Sequence, residues 1–233
     1  METRVANSQL MQKMNRLKVL HYVRRHPACS RPVIARETGL SLSSITNITA
    51  YLLELGILRE CGTEQVGRVG RKSTLLALRA ERNDLICVFV SGTQINIYVT
   101  DLLGEPMDKC TVQTNGCSGE EALERMTGAI CRILESRGRA RFPALGVAVS
   151  GLILEDSRFV MSSELKWRAL DVKRILEEKT GLPVFVDNNS QLRAAWFYNG
   201  ACVPGEDMVF LDLEGGIGAV QFSGGVMCRG TLG

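Results

Sequence analysis

Residues 30–56, SRPVIARETGLSLSSITNITAYLLELG, restrict the fold more than any other stretch, because two helical periodicities meet there at a single glycine. Ser30 predicts the cap of a first helix whose apolar positions Val33 and Ile34 face inward, and Gly39 predicts its left-handed stop. Ser41 predicts a second cap, followed by Ile45, Ile48, Leu52 and Leu55, spaced three, four and three as one buried stripe. The opposite face carries Ser43, Thr46, Asn47 and Ala50. A helix with small polar residues at its exposed N-terminal end fits a DNA major groove and can hydrogen-bond base edges there. The expectation is a helix-turn-helix. Ser43, Ser44 and Thr46 would face base edges, Asn47 would bind adenine through both ends of its amide, and Ala50 would pack on a thymine methyl.

The flanking sequence extends this unit. NRLKVLHYVRR, residues 15–25, places Leu17, Leu20 and Val23 on one side and predicts a preceding helix. Residues 1–12 show no period and are expected to form a flexible arm. After Gly56, the β-prone pieces 57–60 and 73–78 flank a turn rich in Gly and Arg, which predicts a hairpin. Three helices and a hairpin make a winged helix-turn-helix over residues 13–80. Its loop would present Arg68, Arg71 and Lys72 to phosphates or a minor groove. The charge agrees. Residues 1–80 hold 13 Lys/Arg against 5 Asp/Glu, and the remainder hold 15 against 20, so a basic front precedes an acidic back. A basic, solvated surface would give the same count; the helix pair is what points to a polyanion.

Other classes are disfavoured. No apolar run approaches the ~20 residues that span a bilayer, and the N-terminus lacks the apolar core of a signal peptide, so a cytoplasmic protein without membrane contact is expected. Eight cysteines occur without a CxxC pair, which predicts reduced core thiols. His21 and His26, the only histidines, have no Cys or acidic cluster at ligand spacing, and neither a metal nor a cofactor is expected. Trp167 and Trp196 are expected to fill a core or a lobe interface.

Residues 81–233 read as a second, mixed α/β domain: three strands, a helix opened by the capping box Ser118 to Glu121, a buried strand ALGVAVSG, a helix from Asp171, the strand LPVFVD, a helix over 190–198, and strands joined by glycine turns.

Taken together, SRPVIARETGLSLSSITNITAYLLELGILRE, GRVGRK, GVAVSG, LEEKTGLPVFVDNN and LEGGIGA, in that order and spacing, resemble the repressor, open-reading-frame and kinase (ROK) family, specifically its transcriptional regulators. The resemblance runs from Asn15 to Gly233. It implies a winged helix-turn-helix joined to a sugar-kinase-like domain of the actin and hexokinase (ribonuclease H-like) fold. The second lobe would be incomplete, because the sequence stops before the family's Glu-x-Gly-His motif and the regulators' cysteine-rich zinc site.

Departures from the family's kinases indicate the function. Phe89 stands where the kinases carry the acidic residue of their first phosphate turn. Asn189, in Asn188-Asn189-Ser190-Gln191, stands where they carry the catalytic Asp. An amide oxygen is too weakly basic to take a sugar hydroxyl's proton, and loss of a general base is worth roughly a hundredfold to ten-thousandfold. Asn188 matches a family sugar contact, and Glu164-Leu165-Lys166-Trp167 replaces the sugar-contacting loop. The resemblance therefore implies ligand contacts at Glu164, Asn188 and Asn189 without catalysis. Asp212 and Glu214, beside a glycine-rich turn, read as a relic of a phosphate loop. The expected protein is a dimeric DNA-binding regulator, a repressor of sugar-related genes answering to a sugar or sugar phosphate. The alternative is an ATP-dependent hexose kinase.

Overall fold

The computed structural model describes residues 2–64, 72–154, 156, 158–168, 170–203, 205–214 and 216–230, with side chains from residue 11 onward except at 82. The chain divides into two compact units, Met1–Asn83 with Asp101–Glu105, and Asp84–Thr100 with Pro106–Gly233.

The first unit contains α1 (Glu2–Arg25), β1 (Cys29–Ser30), α2 (Arg31–Thr38), α3 (Leu42–Glu54), β2 (Leu58–Glu64) and β3 (Ser73–Leu78). The central strand β3 pairs antiparallel with both β1 and β2. Gly39 ends α2 in the left-handed conformation at φ 70°, a region where a side chain would crowd its own backbone. Ser41 then caps α3, accepting the Ser44 amide. The first unit is thus three helices closed by a small three-stranded antiparallel sheet. Its core joins Val19 and Val23 of α1, Ile34 of α2, Ile45 and Leu52 of α3, and Leu58 and Leu76 of the strands.

Several sequence expectations are corrected here. Residues 2–12, expected as an arm, are the first turns of α1. Val19 rather than Leu17 joins the core, and Leu17 is exposed. Leu55 is also exposed, because it is the C-cap, where α3 has ended; Ile48, expected in the buried stripe, is half-buried, and its neighbour Thr49 is buried. Ser30 precedes α2 but its side chain caps nothing. Pro32 removes one of the amides such a cap could accept, and the buried Ser30 hydroxyl has no partner among the described residues. All eight cysteines are free, yet of these only Cys29 is fully buried.

The second unit is built on a five-stranded mixed sheet. It contains β4 (Leu85–Val90), β5 (Gln94–Thr100), β6 (Pro106–Gln113), α4 (Gly119–Arg137), β7 (Leu145–Val149), β8 (Leu152–Ile153), β9 (Phe159–Ser162), β10 (Trp167–Arg168), α5 (Val172–Thr180), β11 (Val184–Asn188), α6 (Asn189–Ala201), β12 (Met208–Asp212), β13 (Gly218–Ser223) and β14 (Val226–Cys228). The main sheet runs β11-β7-β4-β5-β6, with β11, β7 and β4 parallel and β4, β5 and β6 antiparallel. Apolar side chains of the sheet, α4 and α5 form its core. The capping box is complete at Ser118, where the hydroxyl accepts the Glu121 amide and the Glu121 carboxylate accepts the Ser118 amide. Strands β8, β9 and β10 form a small antiparallel sheet that the sequence did not reveal. Strands β12, β13 and β14 form a third sheet, packed on α6 through Ala194, Tyr198, Val220 and Phe222. Its other face exposes Val209, Leu211 and Val226. Trp196, expected in a core or interface, is 78% exposed, whereas Trp167 is buried against Phe159.

Candidate nucleic-acid interface and polar cleft

The sequence places two candidate sites, one in each unit. In the first, the exposed face of α3 carries Ser43, Thr46, Asn47 and Ala50, while Ile45, Thr49 and Leu52 are buried behind it. The hydroxyls at the head of the helix are already engaged. Ser41 Oγ lies 2.9 Å from Ser43 Oγ and 2.8 Å from Ser44 Oγ, and Thr46 Oγ1 donates to the Leu42 carbonyl at 2.8 Å. Asn47 differs. Its exposed carboxamide makes no side-chain hydrogen bond among the described residues, so both donor and acceptor are available. The helix is braced from behind by Arg31, whose Nε donates to Thr49 Oγ1 at 2.9 Å. Lys72 is exposed where the chain enters β3. Arg68 and Arg71 lie outside the described residues.

The second site forms at the carboxyl ends of the parallel strands, the edge where ligands bind in open α/β sheets. A cleft of about 410 Å³ is lined by Phe89 and Ser91 from the end of β4, Ser150 after β7, Glu164, the turn Asn188 to Ser190, Arg193, and Asp212, Glu214, Gly216, Ile217 and Gly218. Glu164, Asn188 and Asn189 thus line one cleft. Their side chains do different things. The Asn188 carboxamide is committed to structure: its oxygen caps α6 by accepting the Ser190 and Gln191 amides, and its nitrogen donates to the Gly151 carbonyl at 2.8 Å. Asn189 donates to the Val90 carbonyl at 3.4 Å, and its Oδ1 is buried with no donor among the described residues. A buried oxygen left without any donor costs about 1–3 kcal/mol.

Residue Arg193, which the sequence did not single out, dominates the cleft's electrostatics. Its Nη1 meets the buried Asp212 carboxylate at 3.1 Å, its Nη2 meets Glu214 at 2.7 Å, and its guanidinium lies 5.4 Å from the Phe89 ring centroid. The guanidinium therefore pairs with the two carboxylates of the glycine-rich turn. Phe89, whose bulk stands where an acid was expected, supplies the ring beneath it. Only spatial proximity joins residues 89, 193 and 212, so no spacing in the chain could have signalled the cluster.

Hydrogen bonding holds the Asp212 carboxyl below its ordinary 3.8: chiefly the Ser190 hydroxyl at 2.7 Å, then the Glu214 amide and Arg193, against burial. A depressed folded-state value means that the stabilisation is full above the unfolded-state pKa and is lost as pH falls through the folded one. Ser190→Ala removes the largest contribution. The expected result is a parent-over-variant advantage in urea midpoint at about pH 6 that shrinks toward about pH 3. An advantage unchanged across that range would contradict the assignment.

Residues 85–233 match the ROK family. A putative xylose repressor of Caldicellulosiruptor sp. (strain Rt8B.4) is 26% identical over 239 residues, an overlap of 98% of this chain and 58% of the relative. The chain therefore spans less than two thirds of that relative's length. The crystal structure of a ROK family transcriptional regulator, a homolog of the E. coli MLC protein, shares the fold with a TM-score of 0.79 at 20% identity, over 96% of this chain and 57% of that one. A ROK family glucokinase from Streptomyces griseus, solved with glucose and AMPPNP, gives a TM-score of 0.55 at 26% identity over 65% of this chain and 48% of its own.

Proposed function

This chain belongs to the ROK family, and from that premise we propose that it is a sequence-specific DNA-binding transcriptional regulator, a cytoplasmic, homodimeric repressor of sugar-related genes. The observation that carries the reading is α3: a capped helix with one buried face and an outer face of small polar residues around a free Asn47, in a segment with a large excess of basic residues. A polar rod of that kind in a positively charged unit suits a duplex groove. The similarity to a putative xylose repressor supports a sugar-linked role.

We propose further that the cleft holds an effector without phosphorylating it. Asn189 cannot serve as general base. The carboxylates Glu164, Asp212 and Glu214 outnumber the single guanidinium of Arg193, so a neutral sugar suits the cleft better than a sugar phosphate. A sugar hydroxyl would also give the Asn189 oxygen its missing donor.

Selecting duplexes from a random pool with the full chain, with and without free hexoses and pentoses, tests the regulator reading. The expected result is enrichment of one motif, weakened or strengthened by one sugar. Recovery of random sequence would contradict it. The hexose-kinase alternative is tested by a coupled assay with ATP and the same sugars. No turnover is expected, and measurable turnover would overturn the non-catalytic reading.

A further inference from the structure

The face of α3 turned toward α1 carries Ser44, Asn47, Ile48 and Tyr51, at helical spacing of three, four and seven. Opposite them α1 presents Gln12, Asn15 and Arg16, and the two faces enclose an open groove of about 250 Å³. Asn47 thus borders two surfaces at once, the outer face expected to read bases and this groove.

Residue Arg16 is distinctive in how it is held. Arg31, Arg36 and Arg59 of the same unit each meet a carboxylate. Arg16 meets a ring: its Cζ stands 4.0 Å from the Tyr51 centroid, and no carboxylate pairs with it among the described residues. Stacking on an aromatic face fixes the guanidinium plane while leaving its N–H edge uncommitted, which is the geometry that grips a phosphate with two parallel hydrogen bonds. Such a grip loses less side-chain freedom on binding, because the ring has already ordered the arginine.

We infer that α1 is a second DNA-contacting element, in which Arg16, positioned on Tyr51, clamps a backbone phosphate at the edge of the groove entered by α3. This rests on the DNA-binding reading above and extends it to a helix that the spacing of residues assigns only to the core. The clamp fixes register rather than sequence, since phosphates carry no base information. Gln12 and Asn15, lining the same groove, lie within the same footprint.

The test is fluorescence anisotropy of the full chain on a duplex it selects from a random pool, titrated across a series of KCl concentrations. Arg16→Ala is expected to weaken binding on the order of tenfold and to lower the slope of log K against log salt by about 0.9, the release of one phosphate's counterions. Arg16→Lys keeps the charge and loses the planar stack. Its expected result is a several-fold loss with the parent's slope, and it decides the matter if the alanine variant does not fold. A parent that binds while both variants match its affinity and slope overturns this inference alone. A parent that selects no duplex overturns the DNA-binding reading and this inference with it.

Discussion

Replacing Gly151 with alanine is expected to destabilise the second unit by about 4 kcal/mol, the sum of backbone strain and overpacking in a region with no room to yield. Gly151 sits at φ 133°, and a Cβ there would lie 2.2 Å from the Met161 carbonyl oxygen and 3.1 Å from Ser162 Cα. Both obstacles are backbone. Met161 pairs with Leu152 on one side and Arg168 on the other, so the strand cannot retreat without breaking the small sheet. The Gly151 carbonyl also receives the Asn188 amide, which caps α6 and sets the Asn189 side chain in the cleft. Displacement at this glycine therefore reaches the candidate ligand site directly. Trp167 and Trp196, the chain's two tryptophans, both lie in the second unit, so urea unfolding followed by tryptophan fluorescence reports on it. A variant within about 1 kcal/mol of the parent would show that the turn tolerates a side chain, contrary to the geometry.

Asn47→Ala is expected to remove about 1–3 kcal/mol of specific binding and to relax base preference at one position of the bound site. The reason is the division of labour along α3. The Ser43 and Ser44 hydroxyls lie within hydrogen-bond distance of the cap residue Ser41, and that of Thr46 is turned back onto Leu42, so each must reorient before it can donate to a base. The Asn47 carboxamide needs no such reorientation. Alanine variants at Ser43 and Thr46 should accordingly show smaller losses than Asn47→Ala, measured on the selected duplex at one salt concentration. Equal losses at all three positions would contradict this ranking.

Local features were legible in the chain itself. Gly39, Ser41 and the Ser118 capping box act within four residues of themselves, so sequence spacing specifies them. The exposure of Thr46, Asn47 and Ala50 followed from helical periodicity, which is also local. What escaped reading depends on partners distant in sequence. Whether Leu17 or Val19 points inward is decided by how α1 rolls against α2, α3 and β3, a rotation that its many apolar residues leave open. Thr49 is buried in spite of its hydroxyl, which is satisfied there by Arg31, eighteen positions away. The cluster of Phe89, Arg193, Asp212 and Glu214 spans more than half the second unit's sequence and closes only in three dimensions. The absence of an acid at position 89 was visible in the sequence; the arginine that stacks there was not.

The central claim, that α3 enters a duplex groove, is tested most directly by hydrogen–deuterium exchange on the full chain with and without its selected duplex. The account predicts new protection in peptides covering α3 and the Arg16 segment of α1, with a scrambled duplex giving markedly less. Protection confined to the second unit, or none in α3 while the duplex is bound, would contradict it.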